Sequence, residues 1–382
     1  MRCSAAAVLA SAIHIVTAAW HRNVEDKQYT IKSANIKANF ITYGASVTNL
    51  WVKDKRGNDI DIILGYDDIN YYSADKSHPV YNSIPGRYVN RIGHAQYSID
   101  NVTYHTEKND GNNTLHSGNN NWSWRFWDVT AVSDDSITFS ILDKSNTSLN
   151  MIGDVQASVT YTVTPNKLNI KMSARSLTNK TPLMLTHHTY FNLDAYKDPS
   201  TPAIWNHTLS MPYSKRYLEI DGGAVPTGKI LTAAPGSVND FASHPNTALG
   251  HSSSDPSFVN NCGSGCNGYN GYWLFDSAPK DAAVLTLASN YSGVKAELRT
   301  DQPGVQLYSC WWSDGTAPLK NSTQGLPGRS TVTSGSCLAI EAQDYTDGIN
   351  HPEWGRVRDA IYGPGQKYNW ESSWTFSTVD RV

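Results

Sequence analysis

The feature that most constrains this fold is the alternation of apolar and polar residues at a period of two. It is clearest in the segments SITFSILD (136–143), ASVTYTVTP (157–165), KLNIKMSAR (167–175) and AVLTLAS (283–289). Such alternation places apolar side chains on one face of a strand and polar side chains on the other. Gly, Asn, Asp and Pro separate the runs, and long helical periodicity is nearly absent. The sequence therefore predicts an all-β fold, a large antiparallel sandwich or barrel.

The chain of 382 residues contains neither a repeat of fixed period nor a linker that would divide it. All-β folds often exceed about 200 residues as one domain, so this length fits a single unit. The stretch from about 246 to 270 is rich in Ser, Gly and Asn, which is typical of a long surface loop.

The N-terminal residues 1–19 have the layout of a cleavable secretory signal. Arg2 supplies an early positive charge, AAAVLASAIHIV an apolar core, and TAA the small residues before Trp20. No later run of about 18 apolar residues follows, so no membrane span is expected. We therefore predict a signal peptide at residues 1–19 and a secreted mature protein, a single domain at residues 20–382.

Two further features fit export. Acceptor sequences for N-glycosylation, Asn-x-Ser/Thr, occur at Asn101, Asn112, Asn121, Asn146, Asn179, Asn206, Asn290 and Asn321. Cleavage would remove Cys3 and leave an even number of cysteines, Cys262, Cys266, Cys310 and Cys337. We expect disulfides Cys262–Cys266, which closes a short loop, and Cys310–Cys337; a zinc site at CGSGC is the less favoured alternative.

The charge of the chain restricts its partners. The formal net charge is -3 and the sequence pI is about 6.4, without a basic stripe or a long block of charge. This argues against nucleic acid and against an anionic membrane surface as partners. A small neutral ligand or another protein fits better. The 12 Trp and 21 Tyr residues mostly suit sheet cores, although their rings can also stack on sugars.

Two adjacent histidines, His187 and His188, lie in LTHHTYFNL (185–193), which has the composition of a strand. Neighbouring side chains of a strand point to opposite faces, so this pair is poorly placed to bind one metal ion, and no metal site is expected. His187 falls on the apolar face and is interpreted as a structural residue. His188 falls on the polar face, with Tyr190 and Asn192, and suits a proton donor with a pKa near neutrality.

Other candidate ligand-binding residues lie near predicted turns: His116 in NNTLHSG, Asn90 and Arg91 in YVNRIGH, and Gln306 in QPGVQLY. Tyr308, two positions after Gln306, should share its face of the strand. Each residue also has a plain structural interpretation, for example a surface histidine or a salt-bridged arginine.

Glu341 in SCLAIEAQDYTDG is the carboxylate that stands out, because it follows three apolar residues, Leu338–Ile340. A carboxylate in apolar surroundings has a raised pKa and is often functional. A buried structural ion pair is the alternative.

Taken in order, these segments resemble the aldose 1-epimerase (galactose mutarotase) family across nearly the whole mature chain. The resemblance runs through YGASVTNLWVKDKRGNDIDIILGYDD, NRIGHAQYSIDNVTYH, NNTLHSG, LTHHTYFNL, QPGVQLY and LAIEAQDYTDGINHP. It implies a large antiparallel β-sandwich that binds a hexose and interconverts its α and β anomers without a cofactor.

The resemblance also implies roles for individual residues. Glu341 would be the base that takes the proton from the anomeric hydroxyl, and His188 the acid that protonates the ring oxygen. The residues implied to bind the sugar are Asn90, Arg91, His116, Asn270 and Gln306.

The sequence departs from the family pattern at three positions. His187 stands where the family usually has Asn, and Ser117 replaces the first Gly after His116. Asn270, in NGYNGYWLF, stands where the family has a sugar-binding Asp; Asp276 is a possible substitute. An amide still bonds hydroxyls but lacks the charge of a carboxylate.

Two alternatives accompany the enzyme hypothesis. A secreted carbohydrate-binding protein of the same fold, with catalysis weakened or lost, would fit Asn270. A hexose-6-phosphate epimerase relative would need a cluster of cations for the phosphate, whereas the sequence offers only scattered ones such as Arg87 and Arg91.

Overall fold

The computed structural model describes residues 27–77, 79–146 and 150–379. The predicted signal peptide, residues 1–19, lies outside the described residues. The acceptor sequence that starts at Asn146 extends into residues 147 and 148, which are also outside them.

The described chain is mostly strand, joined by turns and short helical segments. The strands are β1 (Tyr29–Ser33), β2 (Ile36–Phe40), β3 (Val47–Lys53), β4 (Asp59–Asp61), β5 (Arg91–Ile92), β6 (Gln96–Ile99), β7 (Val102–His105), β8 (Thr114–Leu115), β9 (Asp128–Val132), β10 (Ser136–Asp143), β11 (Val155–Thr164), β12 (Lys167–Ser176), β13 (Thr181–Pro182), β14 (Thr189–Phe191), β15 (Thr208–Ser210), β16 (Arg216–Ile220), β17 (Pro226–Thr232), β18 (Thr247–Ala248), β19 (Asn270–Leu274), β20 (Leu285–Ala288), β21 (Val294–Thr300), β22 (Gly304–Tyr308), β23 (Asp314–Pro318), β24 (Thr331–Thr333), β25 (Leu338–Gln343), β26 (Ile361–Tyr362) and β27 (Lys367–Thr378).

The helices are short. They are α1 (Tyr71–Ala74), α2 (Val357–Ala360) and the 3-10 segments Gly93–Ala95, Trp122–Trp124, Ile204–Asn206, Pro256–Phe258, Gly348–Asn350 and Pro352–Trp354. Within the described ranges, no helix is long and apolar enough to cross a membrane.

Two large antiparallel sheets dominate the architecture. One has nine strands in the order β18-β15-β20-β21-β27-β12-β11-β10-β9, and the other has six in the order β14-β25-β22-β19-β16-β17. A four-stranded sheet, β1 to β4, and several two-stranded ribbons complete the fold. This is the all-β sandwich that the alternating sequence and the family resemblance predicted.

The main core brings both large sheets together. Phe139 and Ile170 of the nine-stranded sheet belong to the same buried cluster as Phe191, Leu307 and Ile340 of the six-stranded sheet. Alternate residues are buried along β10, β12 and β27, as their sequence pattern predicts. Burial of these apolar side chains is the main favourable contribution to folding.

The central strands of the six-stranded sheet are buried on both faces. All six residues of β25 are buried, and Leu338, Ile340 and Ala342 point into the main core. Because neighbouring side chains of a strand alternate, Glu341 and Gln343 are carried on the opposite face. That second face is the floor of the candidate site.

The segment LTHHTYFNL is only partly a strand, because β14 is confined to Thr189–Phe191. The prediction of one strand over residues 185–193 is therefore wrong. The amide of His188 donates to the Ser83 carbonyl at 3.1 Å, and the carbonyl of His188 accepts from the Asn82 amide at 3.0 Å. The backbone of His188 is therefore hydrogen-bonded to a loop and not to a neighbouring strand.

Both predicted disulfides are present. Cys262 pairs with Cys266, and Cys310 pairs with Cys337. The two cysteines of CGSGC are therefore bonded to each other, and the zinc alternative for that segment is wrong.

Candidate active site

A cavity of about 690 Å³ lies above the second face of the six-stranded sheet. All seven residues that the sequence singled out for the site line it: Asn90, Arg91, His116, His188, Asn270, Gln306 and Glu341. The structure therefore brings together residues from six separate segments of the chain.

Three adjacent strands supply the floor of the cavity. Asn270 begins β19, Gln306 lies in β22 and Glu341 lies in β25. Gln306 is directly opposite Glu341 in the antiparallel pairing of their strands. Tyr308 also lines the cavity, as its spacing from Gln306 predicted.

The polar contact at the centre of the floor joins His188 and Glu341. The Nε2 atom of His188 lies 3.1 Å from Oε1 of Glu341, and both side chains are almost fully buried. Oε2 of Glu341 is buried and has no hydrogen-bond partner among the described residues. The His188 ring stacks on Tyr190, with 4.7 Å between ring centroids. A carboxylate oxygen is thus left for a ligand.

Burial sets the protonation of this pair. Desolvation raises the pKa of Glu341 to about 8, and the positive charge of Arg91 partly opposes that rise. Desolvation, with the neighbouring His116, lowers the pKa of His188 well below its ordinary 6.5. The expectation of a near-neutral pKa for His188 is therefore wrong. At pH 7 the pair holds one proton, on the carboxyl group.

His116 has a fixed orientation and tautomer. Its Nδ1 accepts a hydrogen bond from the backbone amide of Asn90 at 3.2 Å. Burial lowers the pKa of His116 to about 3, so the ring is neutral and carries its proton on Nε2. His116 is thus a hydrogen-bond donor toward a ligand in the cavity, and its ring lies 5.4 Å from that of His188.

The backbone at two binding positions has an uncommon conformation. Asn90 and His116 have φ of 61° and 51°, in the left-handed region that non-glycine residues seldom occupy. Each is held there by the other, because the His116 amide donates to the Asn90 carbonyl at 3.0 Å. Strained residues held by their surroundings are concentrated at functional sites.

Arg91 is both salt-bridged and part of the cavity wall. Its Nε donates to Oδ2 of Asp110 at 2.8 Å. The alternative interpretation of Arg91 as a paired arginine is thus correct, and it does not exclude contact with a ligand. Arg87, by contrast, is fully buried in an ion pair with Asp143 and does not line the cavity.

A chain of amide and hydroxyl hydrogen bonds orients Gln306 and Asn270. Thr346 Oγ1 donates to Oε1 of Gln306 at 3.4 Å, and Nε2 of Gln306 donates to Oδ1 of Asn270 at 3.0 Å. The carbonyl oxygen of Asn270 is thus occupied, and its NH2 group is the part suited to a ligand. Asp276 pairs with Arg216 and does not line the cavity, so it is no substitute for the missing Asp.

His187 lies in the core and not in the cavity, as predicted. Its ring packs against Tyr161, and its Nδ1 is 2.5 Å from Oγ1 of Thr189. Sequence reasoning missed the cavity-lining residues Trp124 and Trp312. The pattern around Trp312, LYSCWW, gives no signal that separates an exposed Trp from one in the core.

This arrangement of a buried acid and base beside hydroxyl-binding groups agrees with a comparison to known families. The profile of the aldose 1-epimerase family matches residues 27–375. The chain belongs to the aldose 1-epimerase family. It is accordingly an isomerase that interconverts the anomers of a monosaccharide.

Relatives from several organisms match this aldose 1-epimerase family member over most of its length. It is 34% identical over 379 residues to a probable aldose 1-epimerase of Arthroderma benhamiae, covering 90% of this chain and 84% of the relative. It is 27% identical over 353 residues to galactose mutarotase of Sus scrofa, covering 92% and 94%.

Solved structures agree with the fold. An aldose epimerase homologue from C. elegans superposes with a TM-score of 0.80 at 26% identity, covering 93% of this chain and 100% of the other. A galactose 1-epimerase from Lactobacillus acidophilus gives 0.76 at 19% identity, covering 96% and 98%, and supports the fold alone.

Proposed function

We propose that this protein interconverts the α and β anomers of free hexoses of the glucose and galactose type, with Glu341 as base and His188 as acid. One observation carries the assignment: a buried carboxylate and imidazole lie 3.1 Å apart on the cavity floor, and Oε2 of Glu341 has no partner among the described residues. Mutarotation needs one acid and one base near the same carbon, and this pair supplies both.

The proposed reaction moves two protons in opposite directions. Glu341 takes the proton of the anomeric hydroxyl, while His188 gives a proton to the ring oxygen and the bond between that oxygen and C1 breaks. The resulting aldehyde rotates about the C1–C2 bond. Reclosure on the other face returns both protons and gives the other anomer. No oxidation state changes in these steps, so they need neither an oxidant nor a reductant.

The electrostatics of the buried pair favour the ring-opened stage. Ring opening leaves Glu341 protonated and His188 neutral, which is the state favoured by the raised pKa of Glu341 and the lowered pKa of His188. The ion pair needed at the start is reached by transferring one proton across the 3.1 Å contact, without a change in net charge. The resting pair and the ring-opened stage therefore have the same protonation, with the proton on Glu341, and the reaction starts from the less populated ion pair.

The remaining cavity residues are proposed to orient the sugar. His116 donates from Nε2, Asn270 donates from its amide NH2 group, and Asn90, Arg91 and Gln306 lie beside the cavity as hydroxyl-binding groups. Orientation matters because the ring oxygen and the anomeric hydroxyl must reach the acid and the base together.

We also propose that the protein is secreted and N-glycosylated. Support comes from the signal-like residues 1–19, the Asn-x-Ser/Thr sequences and the pairing of all four cysteines of the mature chain in disulfides. The test is the mass and N-terminal sequence of protein collected from culture medium, before and after enzymatic removal of N-glycans. Retention inside the cell with residue 1 intact contradicts the proposal.

Polarimetry tests the enzymatic proposal. The approach to equilibrium of freshly dissolved α-D-glucose and α-D-galactose is followed with wild type, Glu341→Gln and His188→Asn. Loss of a general acid or base should lower kcat by at least about a hundredfold. The matched control is His187→Asn, which removes an equally buried imidazole outside the cavity. Wild type that does not exceed the buffer rate contradicts the proposal.

The non-catalytic carbohydrate-binding alternative was suggested by Asn270, whose amide lacks the charge of a carboxylate. The same experiment separates the two functions. A pure binding protein would bind hexose, seen by calorimetry, and would leave the polarimetric rate at its buffer value. If the wild type is inactive because residue 270 is an amide, Asn270→Asp should restore activity.

A further inference from the structure

We propose that Tyr190 is a positioning residue for catalysis, because its ring holds the His188 imidazole in the orientation that proton transfer requires. The inference rests on the proposed function, since His188 is the acid of that reaction. It assigns to aromatic packing a task for which a histidine commonly uses a second hydrogen bond.

The imidazole of His188 has a polar partner at one of its two nitrogens. Its Nε2 atom faces Oε1 of Glu341 at 3.1 Å, whereas its Nδ1 atom is buried and has no hydrogen-bond partner among the described residues. The neighbouring His187 differs, because its Nδ1 lies 2.5 Å from Oγ1 of Thr189. One polar contact fixes the position of one ring atom and does not by itself fix the plane of the ring. Another contact must therefore fix the plane of the His188 imidazole.

The ring of Tyr190 supplies that contact. The planes of the two rings differ by 17°, and their centroids are 4.7 Å apart. His116 meets the same imidazole edge-on, at a centroid distance of 5.4 Å and an angle of 69°. Rotation of the imidazole about its Cβ–Cγ bond would break the stack, because the two planes would no longer be nearly parallel. The stack therefore resists the rotation that the single polar contact allows.

The backbone fixes the two stacked residues relative to each other. Asn82, which is fully buried, bonds to both of them. Its backbone amide donates to the His188 carbonyl at 3.0 Å, and its Oδ1 accepts from the Tyr190 amide at 2.9 Å. The Tyr190 ring also meets the ring of Tyr81 edge-on at 5.2 Å. Tyr190 is thus held by contacts other than His188, as a support for a catalytic group must be.

The orientation of the imidazole matters because one nitrogen serves two partners. In the proposed reaction the proton of Glu341 reaches Nε2 of His188 and passes from there to the ring oxygen of the sugar. Hydrogen bonds weaken steeply as their angle departs from linearity, so a rotated imidazole would serve both partners poorly. Loss of the stack should therefore slow the chemical step, which determines kcat, more than it changes KM.

The test compares three single variants by polarimetry. Tyr190→Leu removes the flat ring but keeps an apolar side chain, and Tyr190→Phe removes only the hydroxyl. Tyr104→Leu is the matched control, because Tyr104 stacks on Tyr97 at the same angle of 17°, with 5.3 Å between centroids, and does not line the cavity. Values of kcat and KM are measured with glucose or galactose, whichever wild type converts faster. Urea unfolding shows whether each variant is folded.

We expect kcat to fall roughly tenfold in Tyr190→Leu, near the upper end of what one aromatic pair contributes, with KM within about threefold of wild type. In Tyr190→Phe and Tyr104→Leu, kcat should stay within about twofold of wild type. An unchanged kcat in folded Tyr190→Leu overturns the inference. An equal fall in Tyr190→Phe also overturns it, because the hydroxyl and not the stacked ring would then be responsible.

A double variant shows whether Tyr190 acts through His188. Once His188→Asn has removed the imidazole, adding Tyr190→Leu should not lower kcat further, because residues that act as a unit have non-additive effects. The enzyme concentration is raised until the rate of His188→Asn exceeds the buffer rate. A second loss of roughly tenfold in the double variant contradicts the inference. Wild type without activity on any free hexose is a different result, because it refutes the proposed function itself.

Discussion

Glu341 is the residue whose surroundings most strongly determine the chemistry. It is almost fully buried, its Oε1 faces His188, and the charge of Arg91 offsets only part of the rise in its pKa. A carboxylate in these surroundings is a stronger base than one in water, because desolvation disfavours its charged form. This arrangement lowers the stability of the folded protein, because the charged carboxylate is buried away from water.

The pH dependence of catalysis follows from the protonation of Glu341 and His188. The active state holds one proton, so kcat/KM should fall about tenfold per pH unit above about pH 8, where Glu341 loses its proton. The acid limb should lie well below pH 6.5, because burial lowers the pKa of His188. Between these limbs kcat/KM should be flat. Polarimetry with subtraction of the uncatalysed rate measures the profile.

Arg91→Gln gives a check on that profile. The positive charge of Arg91 lowers the pKa of Glu341, so its removal should move the alkaline limb to higher pH, whatever happens to KM. An alkaline limb below pH 7 in wild type, or a limb that moves down in Arg91→Gln, contradicts the assignment of this limb to Glu341.

The same group should make stability depend on pH. The pKa of Glu341 is about 8 in the folded protein against an ordinary 4.5, so the folded state holds more protons between these values. Stability from this group is present below pH 4.5 and is lost as pH rises through 8. Well above pH 6.5 the imidazole of His188 is neutral in both states and contributes little, because its folded pKa is lowered.

Glu341→Gln removes this dependence. The unfolding free energy of Glu341→Gln minus that of wild type should increase with pH, because only wild type loses stability as Glu341 becomes charged. The increase should be on the order of 2 kcal/mol between pH 6.5 and 8.5. Urea unfolding at both pH values measures the difference. A difference in unfolding free energy that is constant or decreases toward pH 8.5 contradicts a raised pKa of Glu341. That result would concern only the protonation of Glu341 and would hold whether or not the protein is active.

At the scale of elements, the six-stranded sheet positions the site. Its strands β19, β22 and β25 have one face in the main core and the other at the cavity. Strands with a solvent-facing side, such as β10 and β12, were readable from alternation. β25 was not, because both of its faces are buried and its sequence begins with three consecutive apolar residues. Glu341 stood out there only as the exception within an apolar run.

The disulfide Cys310–Cys337 should stabilise the fold more than Cys262–Cys266. It spans 27 residues of sequence against four, and a longer closed loop restricts the unfolded chain more. Cys310→Ser with Cys337→Ser should therefore cost about 3.5 kcal/mol, and Cys262→Ser with Cys266→Ser about 2 kcal/mol. Denaturant unfolding of the two double variants measures both losses. A larger loss for the short loop contradicts this order.

At the scale of the whole molecule, a buried ion pair ties the binding loop to the nine-stranded sheet. Arg87, just before the segment that carries Asn90 and Arg91, forms an ion pair with Asp143 at the end of β10, and both side chains are fully buried. Arg87 also donates to Thr181 and to the carbonyl of Gly153. The sequence showed Arg87 as one scattered cation, whereas the structure makes it a connection between distant segments.

Arg87→Met should lower the unfolding free energy by about 3–5 kcal/mol, because it leaves Asp143 buried with less compensation. Lys171→Met is the matched control, since the ion pair of Lys171 with Glu371 is exposed on both sides, and its loss should cost under about 1 kcal/mol. Denaturant unfolding measures both variants. Equal losses in the two variants contradict a structural role for the buried pair.

The sequence by itself determined the fold class and the candidate residues, and it favoured the pairing of the cysteines that the structure then established. These features are local or carried by short motifs: alternation at a period of two marks strands that have one solvent face, and the residue types of an acid, a base and hydroxyl-binding groups can be read directly. The prediction that His187 and His188 point in different directions is confirmed, although the two residues precede the short strand β14 and do not belong to it.

The tertiary structure decided where the protons lie and how large the site is. The pKa values of Glu341 and His188 depend on desolvation by residues remote in sequence, so no local pattern could show that one rises and the other falls. The roles of Arg87 in the core and of Trp312 at the cavity were likewise fixed by long-range packing. Local sequence gives a residue its chemistry, and only the folded chain gives it its surroundings.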